Sequence, residues 1–110
     1  MVEDSAQLDR VYRALGDPTR RRLLATLGRG EARISDLAGP IPLTFAAVAK
    51  HVALLEQAGL ISRDVRGREH WLSVRPDGLL DAQSWIAKQT ALWTQRADAL
   101  AAHLEARKHK

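Results

Sequence analysis

The residues whose types and spacing suggest a chemical role lie between Thr44 and Ile61, in the segment TFAAVAKHVALLEQAGLI. At 100° per residue, Val48, Val52 and Leu55 fall on one face of a helix, which predicts that this face is buried. The opposite face near the N-terminus carries short side chains and one cation, at Ala46, Ala47, Ala49 and Lys50. Little bulk beside positive charge is what a helix needs to enter the major groove of DNA. The pattern therefore predicts a DNA-recognition helix.

The ends and margins of this helix add three residues to the prediction. Thr44 is a favourable N-cap, and Gly59 lies where a helix C-terminus favours a left-handed residue. Phe45 and His51 lie at the margins of the apolar face, so His51 is expected to be half-buried, with a phosphate contact left open. The helix residues predicted to meet DNA are Thr44, Phe45, Ala46, Ala47, Ala49, Lys50 and His51. An ordinary surface helix is also rich in alanine, because alanine is the best helix former.

A second group of cations follows in a predicted β-hairpin. Residues 61–65 and 69–74 are strand-like, and Arg66-Gly67-Arg68 joins them. Ile61, Val65, Leu72 and Val74 are expected to face the core. Arg63, Arg66 and Arg68 are predicted to contact phosphates or a minor groove. A solvated turn that carries charges for solubility would look the same.

The charge distribution supports an interaction with nucleic acid. The 110 residues carry a formal net charge of +4. Nine Lys/Arg residues oppose four Asp/Glu residues between positions 18 and 68, whereas the counts are two against four before that segment and six against five after it. The positive excess is thus in the middle of the chain, as expected of a nucleic-acid binder.

Several classes of function lack the residues they need. The chain has no cysteine, which excludes disulfides, thiolate catalysis and cysteine-based metal sites. It has no glycine-rich phosphate loop and no HExxH motif, so no enzymatic activity and no cofactor are expected. No apolar run is long enough for a membrane helix, and the acidic, polar start MVEDSAQLDR is unlike a secretory signal. The expected compartment is the cytoplasm, without a membrane association.

The elements that position these residues form one predicted domain, 1–110. Apolar spacing predicts a first helix at 5–15, and Asp17-Pro18 begins a second. Residues 34–58 predict a helix-turn-helix, with a break at Gly39-Pro40-Ile41-Pro42, and 61–74 predict a wing. A long helix follows at 79–107. The fold class is therefore mainly α with a small β-hairpin, a winged helix-turn-helix with a long terminal helix.

The long helix predicts a homodimer. Its apolar stripe extends over a rod of about 40 Å, which is more than so small a domain can cover. Another copy of the chain is the simplest partner, and packing against the first helix is the intramolecular alternative; a mixture of the two is favoured. The predicted interface comprises Leu8, Tyr12, Trp85, Ile86, Trp93, Leu100 and Leu104. A pocket for an unidentified small-molecule inducer, lined by Trp85, Trp93 or Tyr12, is compatible with this arrangement.

Three motifs together resemble the bacterial ArsR-type repressors: ALGDPTRRRLL at 14–24, ISDLA at 34–38 and VAKHVALLEQAGLI at 48–61. The resemblance covers residues 8–104 or so, and it is closest to the branch without metal-binding cysteines. It implies a homodimeric transcriptional repressor that binds double-stranded DNA at a palindromic operator. It also implies dimerisation through the first and last helices.

The departures from the family pattern bear on what the protein senses. Metal-sensing members carry a Cys-x-Cys pair where this chain has Arg33 and Ser35, and their second site type, on the last helix, is also missing. The remaining candidates are scattered: His70, His103, Glu105 and His109. No metal site is therefore expected. Sensing of a metal or small molecule at a non-standard site, and a winged-helix module that binds only proteins, are the alternatives. Ala49 stands where many relatives have a serine, so one hydroxyl contact is absent.

Overall fold

Five helices and three strands form a winged helix-turn-helix in this computed structural model, which describes residues 2–108, with side chains from residue 6 onward. In chain order the elements are α1 Val2–Leu15, α2 Pro18–Leu27, β1 Ala32–Arg33, α3 Ile34–Ala38, α4 Phe45–Gln57, β2 Ile61–Arg66, β3 Glu69–Val74 and α5 Asp77–Lys108. The predicted helix-turn-helix is formed by α3 and α4, and the predicted wing by β2 and β3. The outer helices α1 and α5 begin three and two residues earlier than predicted, respectively, since they start at Val2 and Asp77.

The core forms where α1, α2, α4 and the sheet meet. Val48, Val52 and Leu55 of α4 are completely buried, as their spacing predicts, and they pack in one cluster with residues such as Leu60 and Leu72. Burying a side chain of this size is worth about 1.5–3 kcal/mol. One face of α4 is therefore fixed in the domain, and its other face is left for contacts outside it.

Helix capping fixes where α2 and α4 begin. Asp17 accepts a hydrogen bond from the backbone N–H of Arg20 at 3.1 Å, and Thr44 Oγ1 accepts one from Ala47 N–H at 3.1 Å. The cap predicted at Thr44 is confirmed, and α2 begins directly after Asp17, as the Asp17-Pro18 pair predicts. After α4, Gly59 has φ +74°, which confirms the left-handed residue expected there.

The three strands form one antiparallel sheet in the order β1-β3-β2. The two-residue strand β1 was not predicted; it pairs Ala32 with Leu72 and Arg33 with Trp71. The expectation that Val65 faces the core is wrong, because Val65 is 56% exposed. It pairs with His70 near the tip of the hairpin, beyond the reach of the core, whereas Ile61 at the base of the same strand is buried.

The last helix, α5, extends well beyond the domain. Its 32 residues give a length of about 48 Å, and among its described residues only Gly78 and Ala82 are buried. The long axis of the chain is 75 Å and its radius of gyration is 20.1 Å, against about 13 Å for a compact chain of this size. None of the described helices combines the length and apolarity needed to cross a membrane.

Candidate nucleic-acid interface

The exposed face of α4 is free of bulk at its N-terminal end. Ala46 and Lys50 are exposed, Ala47 and Ala49 are half-buried, and Phe45 is 58% exposed beside them. Lys50 forms no ion pair within the part of the chain that the structure describes. The N-terminus of a helix also carries a partial positive charge. This face therefore combines an accessible backbone, one unpaired cation and one exposed aromatic ring.

His51 lies on the side of α4 that faces α2. Its Nδ1 is 3.2 Å from Nη1 of Arg20 and 3.8 Å from Oδ2 of Asp17. The ring is partly buried, as predicted from its position on the helical wheel. The hydrogen bond that Asp17 accepts from Arg20 N–H holds the pKa of that carboxyl below its usual value. A negative Asp17 thus stays close to the imidazole at neutral pH.

The wing arginines, unlike Lys50, already have partners. Arg63 is paired with the carboxylate of Glu56, at the end of α4, and its Nη1 is 3.0 Å from His70 Nδ1. The hydrogen bonds that Arg63 donates to Glu56 raise the pKa of Arg63. Arg63 therefore connects the wing to α4, and a phosphate would have to compete with Glu56 for its guanidinium.

Arg66 is held even more completely. Its two Nη atoms donate to the two carboxylate oxygens of Glu31 at 2.9 and 3.0 Å, and its Nε donates to Asp64 at 2.9 Å. These hydrogen bonds raise the pKa of Arg66, and the bond to Glu31 has the largest effect. The guanidinium also stacks over the ring of Trp71 at 5.1 Å from the centroid. A bidentate, stacked arginine is fixed in direction as well as in charge.

The second ring contact of Trp71 comes from Arg33, at 5.7 Å. Arg33 donates to Asp36 at 3.1 Å and forms an ion pair with Glu69, and these contacts raise its pKa. The same hydrogen bonds lower the pKa of Asp36. We call this set of residues the wing ion cluster; it comprises Glu31, Arg33, Asp36, Glu56, Arg63, Asp64, Arg66 and Glu69.

The wing ion cluster contains three arginines and five carboxylates, so it is not positively charged as a unit. Sequence reasoning missed this cancellation. Glu31 is 35 residues away from Arg66, and no local pattern indicates the contact. Of the three predicted wing cations, Arg68 alone makes no ion pair among the described residues. It lines a groove with Phe45, between the start of α4 and the wing.

The predicted dimer residues lie on α1 and α5. Tyr12 donates to the carbonyl of Ala82 at 2.9 Å, and its ring meets Trp85 edge to face at 6.0 Å. Leu8 and Tyr12 are partly buried against the core. Further along α5 the apolar stripe is open: Trp93 is 69% exposed, and Ile86, Leu100 and Leu104 are at least half exposed. The beginning of α5 thus packs against α1 of the same chain. The rest of its apolar stripe is exposed and could contact a second copy of the chain.

Among residues 6–108, whose side chains the structure describes, no three His, Cys, Asp or Glu side chains are grouped to hold an ion. His109, one of the scattered candidates, lies outside the described residues.

The fold agrees with that of known transcriptional regulators. No family model matches the chain. The transcriptional repressor SdpR of Bacillus subtilis is 29% identical over 79 residues, which cover 72% of this chain and 88% of SdpR. A solved ArsR-like transcriptional regulator from Rhodococcus sp. RHA1 is 32% identical, with a TM-score of 0.78 over 87% of this chain and 91% of that one.

A third protein shares the fold at lower identity. The homodimeric winged helix-turn-helix DNA-binding domain of Mb0332 from Mycobacterium bovis is 22% identical, with a TM-score of 0.60 over 84% of this chain and 80% of that one. Identity and coverage with the Rhodococcus protein are high enough to establish common descent. The chain belongs to the ArsR family of winged helix-turn-helix transcriptional regulators.

Proposed function

We propose that the protein is a homodimeric repressor that places the N-terminal part of α4 in the major groove of a palindromic operator. The observation that carries this proposal is the exposed face of α4, where Ala46 and Lys50 project from a helix whose opposite face is locked into the core. The groove contacts are assigned to Thr44, Phe45, Ala46, Ala47, Ala49, Lys50 and His51. Because a transcriptional repressor acts on DNA, we place the protein in the cytoplasm. We assign it no enzymatic activity.

Two of these assignments are specific to the side chains in the structure. Thr44 Oγ1 is occupied as the helix cap, so its phosphate contact would come through the helix N-terminus, whose free N–H groups attract anions. Phe45 has no hydrogen-bonding group and is exposed. It suits the methyl group of a thymine in the major groove.

The wing is assigned the flanking contacts through Arg63, Arg66 and Arg68. Arg68 can meet phosphate without losing a partner, whereas Arg63 and Arg66 must exchange a carboxylate for it. The exchange is favourable only if the DNA offers them at least as good a geometry as Glu56 and Glu31 do.

Dimerisation through α1 and α5 would cover the open apolar stripe of α5. Apolar side chains exposed along a helix in one continuous stripe mark an interaction surface. The homodimeric Mycobacterium bovis protein of the same fold supports this assignment. The interface is assigned to Leu8, Tyr12, Trp85, Ile86, Trp93, Leu100 and Leu104.

A small-molecule inducer would have room between the same two helices. A cavity of about 300 Å³ is lined by Gln7, Leu8, Val11, Asp81, Ser84, Trp85 and Lys88. Its position beside the proposed dimer contacts would let a ligand alter the geometry of the dimer. Release of the operator by compounds that quench Trp85 would identify an inducer of this kind.

The experiment is a fluorescence-anisotropy titration on labelled DNA from upstream of the protein's own gene, against a scrambled duplex, over a range of salt, with and without a chelator. Tight binding to the native duplex alone supports the proposal. Lys50→Ala should weaken operator binding about tenfold, whereas Lys108→Ala, which removes the same charge from the exposed end of α5, should not. Absence of binding to either duplex would favour the protein-interaction module instead.

A further inference from the structure

Arg20 joins three helices through one guanidinium group. Its Nε donates to the carbonyl of Ala14 at 2.8 Å, and its Nη2 donates to that of Arg13 at 3.0 Å. Both carbonyls belong to the last turn of α1, where helix carbonyls lack partners within the helix and favour cations. The third contact, from Nη1, reaches His51 in α4. Arg20 itself is fixed in the first turn of α2 by the Asp17 cap.

The contact with His51 has only one possible direction. A guanidinium donates hydrogen bonds and cannot accept them, so Nδ1 of His51 must be the acceptor. The imidazole is then neutral, and its proton is on Nε2. Arg20 thus fixes the tautomer and the ring orientation of a residue one helical turn from Ala47, on the helix assigned to the major groove.

We propose that Arg20 is a positioning residue for DNA recognition: it holds α4 at a fixed angle to the end of α1 and presents the Nε2–H of His51. The inference rests on the proposed function, in which α1 forms the dimer and α4 reads the operator. Two recognition helices of a dimer must meet half-sites about one DNA turn apart, so a change in their angle disturbs specific contacts at both sites. Non-specific binding depends on charge and tolerates such a change.

The neighbouring arginine provides a matched control. Arg21 donates to the carbonyl of Leu15 at 2.6 Å, so it also caps α1, but it has no hydrogen bond to α4 among the described residues. Arg20→Ala and Arg21→Ala remove the same charge from the same turn of α2. Only Arg20→Ala removes the link to His51.

The test compares these two variants on upstream and scrambled duplexes in the full-length protein. Arg20→Ala should weaken operator binding about tenfold more than Arg21→Ala does, with equal binding of the two variants to the scrambled duplex. Equal operator affinities for Arg20→Ala and Arg21→Ala overturn the inference while the proposed function stands. Failure of the wild-type protein to prefer its operator overturns both.

A second pair of variants keeps the test valid if Arg20→Ala does not fold. The side-chain oxygen of asparagine can accept a hydrogen bond where His51 Nδ1 does, whereas leucine offers no acceptor. His51→Asn should therefore hold α4 better than His51→Leu, and it should bind the operator at least threefold more tightly. Equal affinities for the two would count against the link.

The tautomer gives a readout that a merely stabilising residue would not move. Ring nitrogen NMR of the free protein should show His51 with its proton on Nε2, and Arg21→Ala should leave that spectrum unchanged. Mixed tautomers in the wild type would show that the hydrogen bond from Arg20 does not form in solution, whatever the outcome of the DNA titrations.

Discussion

The start of α4 and the wing differ in how their cations are held, although both are assigned to the same DNA. On α4, Lys50 is exposed beside alanines and has no partner among the described residues. In the wing, Arg63 and Arg66 are bonded to carboxylates, and Arg66 is also stacked on Trp71. Lys50 can therefore bind a phosphate directly, whereas Arg63 and Arg66 must first separate from their carboxylate partners.

The difference shows that a count of cations is not a measure of available positive charge. Three of the nine Lys/Arg residues between positions 18 and 68 belong to the wing ion cluster, and so do all four Asp/Glu residues of that segment. The remaining six cations include Lys50, Arg68 and the arginine triplet at the start of α2. The attraction for DNA should therefore come more from α2 and α4 than from the wing.

The largest effect is expected where α4 must approach the bases. Ala47→Trp should reduce operator affinity about 100-fold or more, because the added ring would hold the helix out of the groove. The control is Ala91→Trp on α5, which adds the same ring to an exposed helix away from α4. Unchanged operator binding by Ala47→Trp in the anisotropy titration would remove α4 from the groove.

A smaller effect on DNA binding is expected in the wing, where Arg68 has no ion pair among the described residues and Arg66 has two. Arg68→Ala should weaken binding to operator and scrambled duplexes about threefold to tenfold, and lower the salt slope by about one ion. Arg66→Ala should change both quantities less, because DNA must displace Glu31 and Asp64 to reach Arg66. If the two variants have equal salt slopes, the ion pairs of the wing do not restrict its contacts.

Removing a carboxylate partner of Arg66 should make the positive charge of the wing more available to DNA. Glu31→Gln leaves Arg66 with Asp64 only. It should raise the affinity for any duplex about threefold and steepen the salt dependence. Asp98→Asn on α5, which changes the net charge equally, is the control. An affinity gain of the same size for both variants would trace the effect to overall charge rather than to Arg66.

The smallest effect concerns stability and pH. The hydrogen bonds from Arg33 lower the pKa of Asp36 below its usual 3.8. A lowered folded-state pKa means that this carboxylate stabilises the fold above about pH 4 and loses that contribution as the pH falls through the folded-state value. Asp36→Asn should therefore have a lower Tm than the wild type at neutral pH, and the gap should close in acid. A gap that persists below pH 3 or so in circular dichroism melts would contradict this assignment.

How much of the fold was predictable depended on how far apart the interacting residues are in the chain. Thr44 with Val48, Val52 and Leu55 is a local pattern, so the cap and the buried face of α4 follow from spacing alone. The two-residue strand β1 has no periodicity, and its pairing with β3 brings Glu31 and Arg33 to the wing from a distant part of the chain. The cap and the buried face of α4 were therefore predictable, whereas the ionic partners of the wing arginines were not.

Val65 illustrates the same limit within one strand. Val65 is apolar and lies on the same face of β2 as the buried Ile61, which indicates a buried position although Arg63 lies between them on that face. The buried core does not extend to the outer half of the hairpin. Val65 is therefore exposed there, although Ile61 on the same strand is buried. Burial at the tip of a wing depends on what the wing meets, and the sequence of one chain does not contain that information.

The chain carries three tryptophans, and each lies on a surface assigned to a binding event. The ring of Trp71 is in contact with the guanidinium groups of Arg33 and Arg66, and Trp85 and Trp93 lie on α5. Indole emission shifts to shorter wavelength when water is excluded and changes in intensity when a stacked charge leaves. The intrinsic tryptophan fluorescence of the unlabelled protein can therefore be used to follow these binding events. The Trp71→Phe variant reports only events at α5, through Trp85 and Trp93, and its difference spectrum from the wild type reports the opening of the wing.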